Sequence, residues 1–154
     1  MVNTVPMTSV KLRSKAECPS HSLTNVSVRD LEFAIDEPTQ RGGTNKGPTP
    51  TDTALAALIG CTNVIAHKCA EALAIDIGHL EVSAVCVFNR LGVALEQEIE
   101  VPFEKIELKV VADGTASQED LQRVAREVSK YCPLSKLFKN SGTIIEEDWQ
   151  PKST

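Results

Sequence analysis

The stretch DEPTQRGGTNKGPTPTDTALAALIGC, residues 36–61, decides how this chain folds. Asp36 to Asp52 reads as a loop with three prolines and three glycines. Its glycines do not have the spacing of a phosphate-binding loop, so that reading is rejected. Thr49 is placed to cap a helix, and Pro50 falls in the first turn, where a missing N–H costs nothing. Thr53 to Ile75 holds no proline and one glycine, Gly60, which predicts a long helix. Its opening, Ala54 to Cys61, is apolar almost all the way round, the mark of a helix buried on every side. Polar residues return at Thr62, Asn63, His67, Lys68 and Glu71.

Toward the N-terminus the pattern has period two. Leu31, Phe33 and Ile35 fall on one face of a strand, with Val26 and Val28 in the strand before it. Thr8 to Arg13 is a further candidate strand, followed by a polar break from Ser14 to Ser22. After Gly78, Leu80, Val82, Ala84, Cys86 and Phe88 share a strand face. Asn89 to Gly92 is a turn. Glu98 to Val111 is a second extended run, with Ile106, Leu108 and Val110 on one side. Ser117 and Asp120 have capping-box spacing ahead of Leu121, Val124, Ala125 and Val128, which recur at helical intervals. Pro133 ends that helix near Tyr131 and opens a short one to Lys139. Gly142 to Glu146 is a last strand. The order βββ-α-ββ-α-β is segregated rather than alternating, which argues a single α+β domain over residues 1–154.

The chain has 154 residues, enough for one real core, and a formal net charge of −5. That charge argues against broad nucleic-acid binding, which needs a cationic face. One Trp and one Tyr make the expected core aliphatic. No run of about 18 apolar residues is seen, so no membrane-spanning segment is expected. The opening MVNTVPMTSVKLR has no apolar run of signal-peptide length, and the cytoplasm is the expected compartment. In a reducing compartment the five cysteines, an odd number with no C-x-x-C pair, are not a disulfide framework.

Each cysteine is therefore a small buried hydrophobe or a working thiol. Cys61 sits midway along the apolar helix, and position alone favours an inert core thiol over a nucleophile. Cys132 precedes Pro133. Two readings stand side by side: an N-cap whose sulfur is held as thiolate by the helix dipole, or a residue filling a kink between helices. Cys86 and Cys69 read as core, and Cys18 as a loop thiol with no evident partner. His67 and Cys69 point to different sides of a helix, and no zinc-type spacing occurs, so no metal is expected.

The segment of residues 36–61 resembles the pattern of the OsmC/Ohr family: an acidic-Pro turn, a double glycine, a G-P-x-P step and an apolar helix reaching a cysteine. The segment YCPLSKLF is similar to that family's second motif, a late Cys-Pro, 71 positions after Cys61. The resemblance spans nearly the whole chain. It implies an OsmC-like fold in an intertwined homodimer. It implies a peroxidase in which Cys61 attacks the hydroperoxide and Cys132 resolves the sulfenic acid to a disulfide, restored by a dithiol reductant without a bound cofactor.

One departure stands out. Organic-hydroperoxide members of the family place a glutamate just after the helix-opening proline and pair it with an N-terminal arginine. Here Thr51 follows Pro50, and Asp52 comes one position later, about 14 Å along the helix from Cys61 and on its opposite side. Arg13, Arg29 and Arg41 all qualify by region as the arginine. The alternative function is a non-catalytic dimer on the same fold that binds a small apolar ligand between subunits.

Overall fold

The structure is a computed structural model, and it describes residues 8–154. The reading of residues 1–7 as free of a signal-peptide run lies outside the described residues. The chain divides into two compact units, the second beginning at Ala54.

The first unit carries an antiparallel sheet in the order β1-β2-β3, made of β1 Lys15–Glu17, β2 Thr24–Val28 and β3 Leu31–Ile35. The strand expected at Thr8 to Arg13 does not form. The pairing lies two residues further on, where Lys15, Ala16 and Glu17 meet Ser27, Val26 and Asn25, inside the stretch read as a polar break. Strand β2 can extend its ladder only that far, because the β2–β3 turn at Arg29 fixes the register. Leu31 and Phe33 sit on β3 as expected but remain exposed within this chain.

Beyond β3, the loop is organised by Asp36. Its fully buried carboxylate accepts from the Glu37 amide at 2.8 Å, the Thr44 amide at 3.2 Å, the Lys46 amide at 3.1 Å and the Thr44 hydroxyl. The Thr44 hydroxyl, helped by the Lys46 and Glu37 amides, holds this carboxyl far below the usual range despite burial. A Cβ at Gly43 would run into the Glu37 carbonyl, and one at Gly47 into that of Ala34, so the loop closes only with glycine at both places.

Helix α1, Pro50–Leu73, opens at a capping box. The Asp52 amide donates to Thr49 Oγ1 at 3.1 Å, and the Thr49 amide returns a bond to Asp52 Oδ2 at 3.3 Å. In the second unit Leu58, Thr62, Ala66, Cys69 and Ala70 form the buried stripe of α1. Within this chain the burial is one-sided: Ala56, Ala57, Gly60 and Val64 lie exposed on the other flank. The membrane reading also needs correction, since α1 has the length and hydropathy of a spanning helix. Its inner stripe nevertheless packs into the chain's own core, and His67, Lys68 and Glu71 interrupt its last turns.

The second sheet has the order β4-β5-β6: β4 Leu80–Phe88, β5 Phe103–Ala112 and β6 Ile144–Pro151. Strands β4 and β5 are antiparallel, and β5 and β6 are parallel. The inward face carries Ile106, Leu108, Val110 and Trp149, all buried, beside the half-buried alternate residues of β4. Strand β5 starts five residues later than Glu98, because its ladder with β4 ends at the Phe88–Phe103 pair and Pro102 has no N–H to extend it. Strand β6 begins later than Gly142 and runs on past Glu146 to Pro151, since β5 offers partners through Ala112.

Parallel pairing of β5 and β6 requires a crossover, supplied by α2 Gln118–Tyr131 and α3 Pro133–Asn140. Both helices pack on β6. The Ser117–Asp120 capping box starts α2, and Leu121, Val124, Ala125 and Val128 are its buried face. Each Leu or Val there contributes about 1.5–3 kcal/mol by leaving water, so a charge at Val124 would undo the packing. The architecture is the expected α+β, with the second helix broken in two at Cys132.

Candidate functional site

The two helices that flank the break bring Cys132 to Cys61. Pro133 stops α2 and starts α3, leaving Cys132 extended (φ −71°, ψ 111°) as C-cap of one helix and N-cap of the other. Its amide donates to the Val128 carbonyl at 2.8 Å, and its sulfur accepts from the Ser135 amide at 3.4 Å. The side chain is fully buried and points at α1, where its thiol donates to Cys61 Sγ at 3.3 Å. Cys61 is half-buried and both thiols are free.

Electrostatics at Cys132 decide between its two sequence readings. Burial pushes the thiol up to about 11, with the hydrogen bond and charge of Cys61 adding to the rise and the Ser135 amide opposing it. The N-cap geometry is real, yet the helix dipole does not make Cys132 a thiolate; desolvation outweighs one amide. At neutral pH Cys132 keeps its proton.

The other thiols are accounted for elsewhere. Cys69 is buried in the core, and burial together with Glu127 raises it. Cys86 is half-buried on β4 and raised by burial. Cys18 is exposed, with Thr24 Oγ1 at 3.9 Å. Among the described residues no three His, Cys, Asp or Glu side chains gather as a metal ion needs. His67 is spent on structure, its ring nitrogens lying 2.9 Å from the Asn63 carbonyl and 3.0 Å from that of Gly78.

Asp52 is engaged in the α1 cap with Thr49, whose hydroxyl also donates to it at 2.7 Å. Arg13, Arg29 and Arg41 belong to the first unit. Arg41 pairs with Glu37 at 2.8 Å, Arg29 takes φ 56° in the β2–β3 turn, and Arg13 is exposed.

Three contributors escaped the sequence reading. The Ser135 amide backs the Cys132 sulfur, a backbone role that no side-chain motif announces. Lys139 Nζ donates to Ser129 Oγ at 2.9 Å, joining α3 to α2 around Cys132. A groove of about 390 Å3 is lined by Ile65, Lys68, Cys69, Ala72, Leu73, Glu127 and Tyr131. Ile65 one turn beyond Cys61, and Tyr131 beside Cys132, were the signals for it.

Comparison with known proteins adds the following. The family model described as OsmC-like protein matches residues 43–147. The OsmC-like protein of Mycoplasma pneumoniae superposes with a TM-score of 0.78 at 19% identity, over 94% of this chain and 99% of that one. An organic hydroperoxide resistance protein of Elizabethkingia anophelis gives a TM-score of 0.70 at 18% identity, over 95% and 99%. The organic hydroperoxide resistance protein OhrB of Bacillus subtilis gives 0.60 at 16% identity, over 91% and 98%. At these identities the likeness is one of fold. Comparison with curated protein sequences gives no match.

Proposed function

The chain belongs to the OsmC-like protein family, and on that premise we propose that it is a thiol-dependent peroxidase in which Cys61 attacks a hydroperoxide and Cys132 resolves the product. The observation that carries this reading is the 3.3 Å contact between the two sulfurs. Two thiols 71 residues apart meet with no other cysteine bonded to either. The names of the structural neighbours from Elizabethkingia and Bacillus favour a role in resistance to organic hydroperoxides.

The chemistry runs in three balanced steps. The Cys61 thiolate takes the outer oxygen of the hydroperoxide; an S–O bond forms, the O–O bond breaks, and the alkoxide leaves and is protonated by water to the alcohol. Cys132 then attacks the sulfenic sulfur; an S–S bond forms, and hydroxide leaves with the Cys132 proton as water. A dithiol reductant returns two electrons and two protons by exchange. The protein supplies both thiols itself and needs no bound cofactor. The reading places it in the reducing cytoplasm, where such a pair is restored after each turnover.

The active form in this reading is a homodimer. The exposed small-residue flank of α1 and the open Leu31–Phe33 face of β3 support a second copy covering them. The second reading, a dimer that holds a small apolar ligand without turnover, is favoured by the groove lined by Ile65, Ala72, Leu73 and Tyr131.

Peptide mapping after one equivalent of cumene hydroperoxide or hydrogen peroxide separates the two. The peroxidase yields a Cys61–Cys132 bridge and leaves Cys18, Cys69 and Cys86 as thiols; Cys132→Ser stops at sulfenic acid, and Cys61→Ser is inert. A dominant bridge between any other pair, or no thiol loss, sinks the peroxidase and puts the ligand-binding reading ahead.

A further inference from the structure

The attacking sulfur needs something to hold its negative charge, and among the described residues no Asp, Glu or Arg side chain bonds to Cys61 Sγ. Asp52 is committed to the α1 cap and, as a carboxylate, has no proton to donate. Arg41 is paired with Glu37. Among the described residues, the hydrogen-bond donor to Cys61 Sγ is Cys132.

We propose that Cys132 acts twice: in the reduced protein its S–H is the hydrogen-bond donor that stabilises the Cys61 thiolate, and after peroxide has reacted it becomes the resolving thiol. The second duty rests on the peroxidase reading; the first does not.

The geometry forms a relay of donors. The Ser135 amide, in the first turn of α3, donates to Cys132 Sγ, and Cys132 donates to Cys61 Sγ. An amide pulling electron density from the middle sulfur makes its proton a better donor, so the two bonds reinforce each other. The relay has little freedom. The Cys132 backbone is anchored through its amide on Val128, and its side chain is fully buried between the helices. Burial also keeps the proton on Cys132 at neutral pH, so the donor is present when Cys61 is charged. The arrangement gives the bond one direction: the fully buried sulfur donates, and the half-buried one accepts.

The attack leaves the donor intact, because the alkoxide takes its proton from water. Once Cys61 is a sulfenic acid, the same proton leaves with the expelled hydroxide. The donor is thereby consumed in the step that closes the disulfide, and the reductant restores it together with the thiols.

Two variants that both lack the resolver separate donor from resolver. Cys132→Ser retains a proton to donate; Cys132→Ala does not. The readout is the pH profile of Cys61 alkylation by iodoacetamide, followed on the Cys61 peptide by mass spectrometry so that the other thiols do not interfere. The alanine variant should react at higher pH and, at neutral pH, roughly three- to tenfold more slowly than the serine variant. Coincident profiles overturn the proposal. Cumene hydroperoxide, with sulfenic acid on Cys61 as readout, should rank the variants the same way. Alkylation that separates them while no thiol reacts with hydroperoxide keeps the donor and sinks the peroxidase. Equal oxidation and equal alkylation keep the peroxidase and sink the donor. Circular dichroism checks the fold of each variant; Cys132→Val, which fills the space without a donor, replaces alanine where that variant fails to fold.

Discussion

Lys139 Nζ sits 2.9 Å from Ser129 Oγ, tying the end of α3 back to the end of α2 across the elbow whose apex is Cys132. The bond spans ten residues and closes the two helices like a strut. Removing it should let the elbow open and withdraw Cys132 from Cys61, both as resolver and as hydrogen-bond donor. Lys139→Met and Ser129→Ala should each cost about 1 kcal/mol of stability. Each should slow disulfide closure several-fold and sulfenic acid formation to a smaller extent, measured by quenched-flow alkylation. Unchanged rates of both steps would mean that the strut does not hold the elbow.

The raised Cys132 thiol gives closure its own pH dependence. Resolution requires the thiolate, and burial holds Cys132 at about 11 against an ordinary 9.0. Below that value the thiolate fraction grows about tenfold per pH unit. Closure after a peroxide pulse should therefore keep climbing above pH 9, where an unburied thiol would level off. The sign for stability is opposite. The fold favours the neutral thiol, so the contribution is complete below the unfolded value and is lost as pH rises through the folded one. Urea midpoints taken on both sides of that window test this.

Asp52 closes the α1 cap with Thr49. Asp52→Ala should cost about 1 kcal/mol of stability. Peroxidase turnover should change little, whereas Cys61→Ser abolishes it. Equal losses of turnover would place Asp52 in the site of a second subunit.

Gly60 offers a test of the homodimer. A Cβ built there meets nothing within 4 Å in this chain. On a solvent-facing helix Gly60→Ala would add about 1 kcal/mol. At a packed subunit contact a larger group is excluded. Sedimentation should find the wild type dimeric at micromolar concentration and Gly60→Glu shifted toward monomer. A folded wild-type monomer would remove the dimer.

Asp36 links the loop to acid sensitivity. Its carboxyl is held low in the fold, so its contribution is present above the unfolded pKa, about 3.9, and is lost as pH falls toward the folded value. Asp36→Asn should lower thermal stability at pH 7 and flatten the decline in acid, followed by circular dichroism from pH 7 downward.

Where local chemistry decides structure, the sequence was readable. Ser117 with Asp120, Pro133 after Tyr131, and Thr49 before Pro50 set helix ends through bonds within four residues, and α2, α3 and α1 begin and end close to those signals. The alternation in β4 was equally plain, because one face is covered and the other open. Strand limits were not legible. The first strand, the start of β5 and the length of β6 depend on which residues of a distant strand are available to pair, and register is not a local property. The cysteine motifs pointed to the pair, but not to its protonation. Sequence left Cys132 between a dipole-held thiolate and a kink filler; only packing reveals that it is fully buried, and desolvation then raises its thiol. The apolar run of α1 did not show which of its flanks this chain covers, since composition does not tell which surface packs on a helix.

The parallel pairing of β5 with β6 has a consequence for the order in which the molecule is made. A hairpin can zip as it emerges, but this ladder cannot form until the whole crossover has been synthesised and laid over the sheet. Cys61 leaves the ribosome 71 residues ahead of Cys132, and the elbow that presents Cys132 has no floor until β6 arrives beneath it. For that interval the nascent chain carries the first thiol without its companion, and an oxidant meeting it finds no internal route back from sulfenic acid. In the proposed cycle that companion is the resolving thiol, so the chain gains its means of closing the disulfide only late in its synthesis.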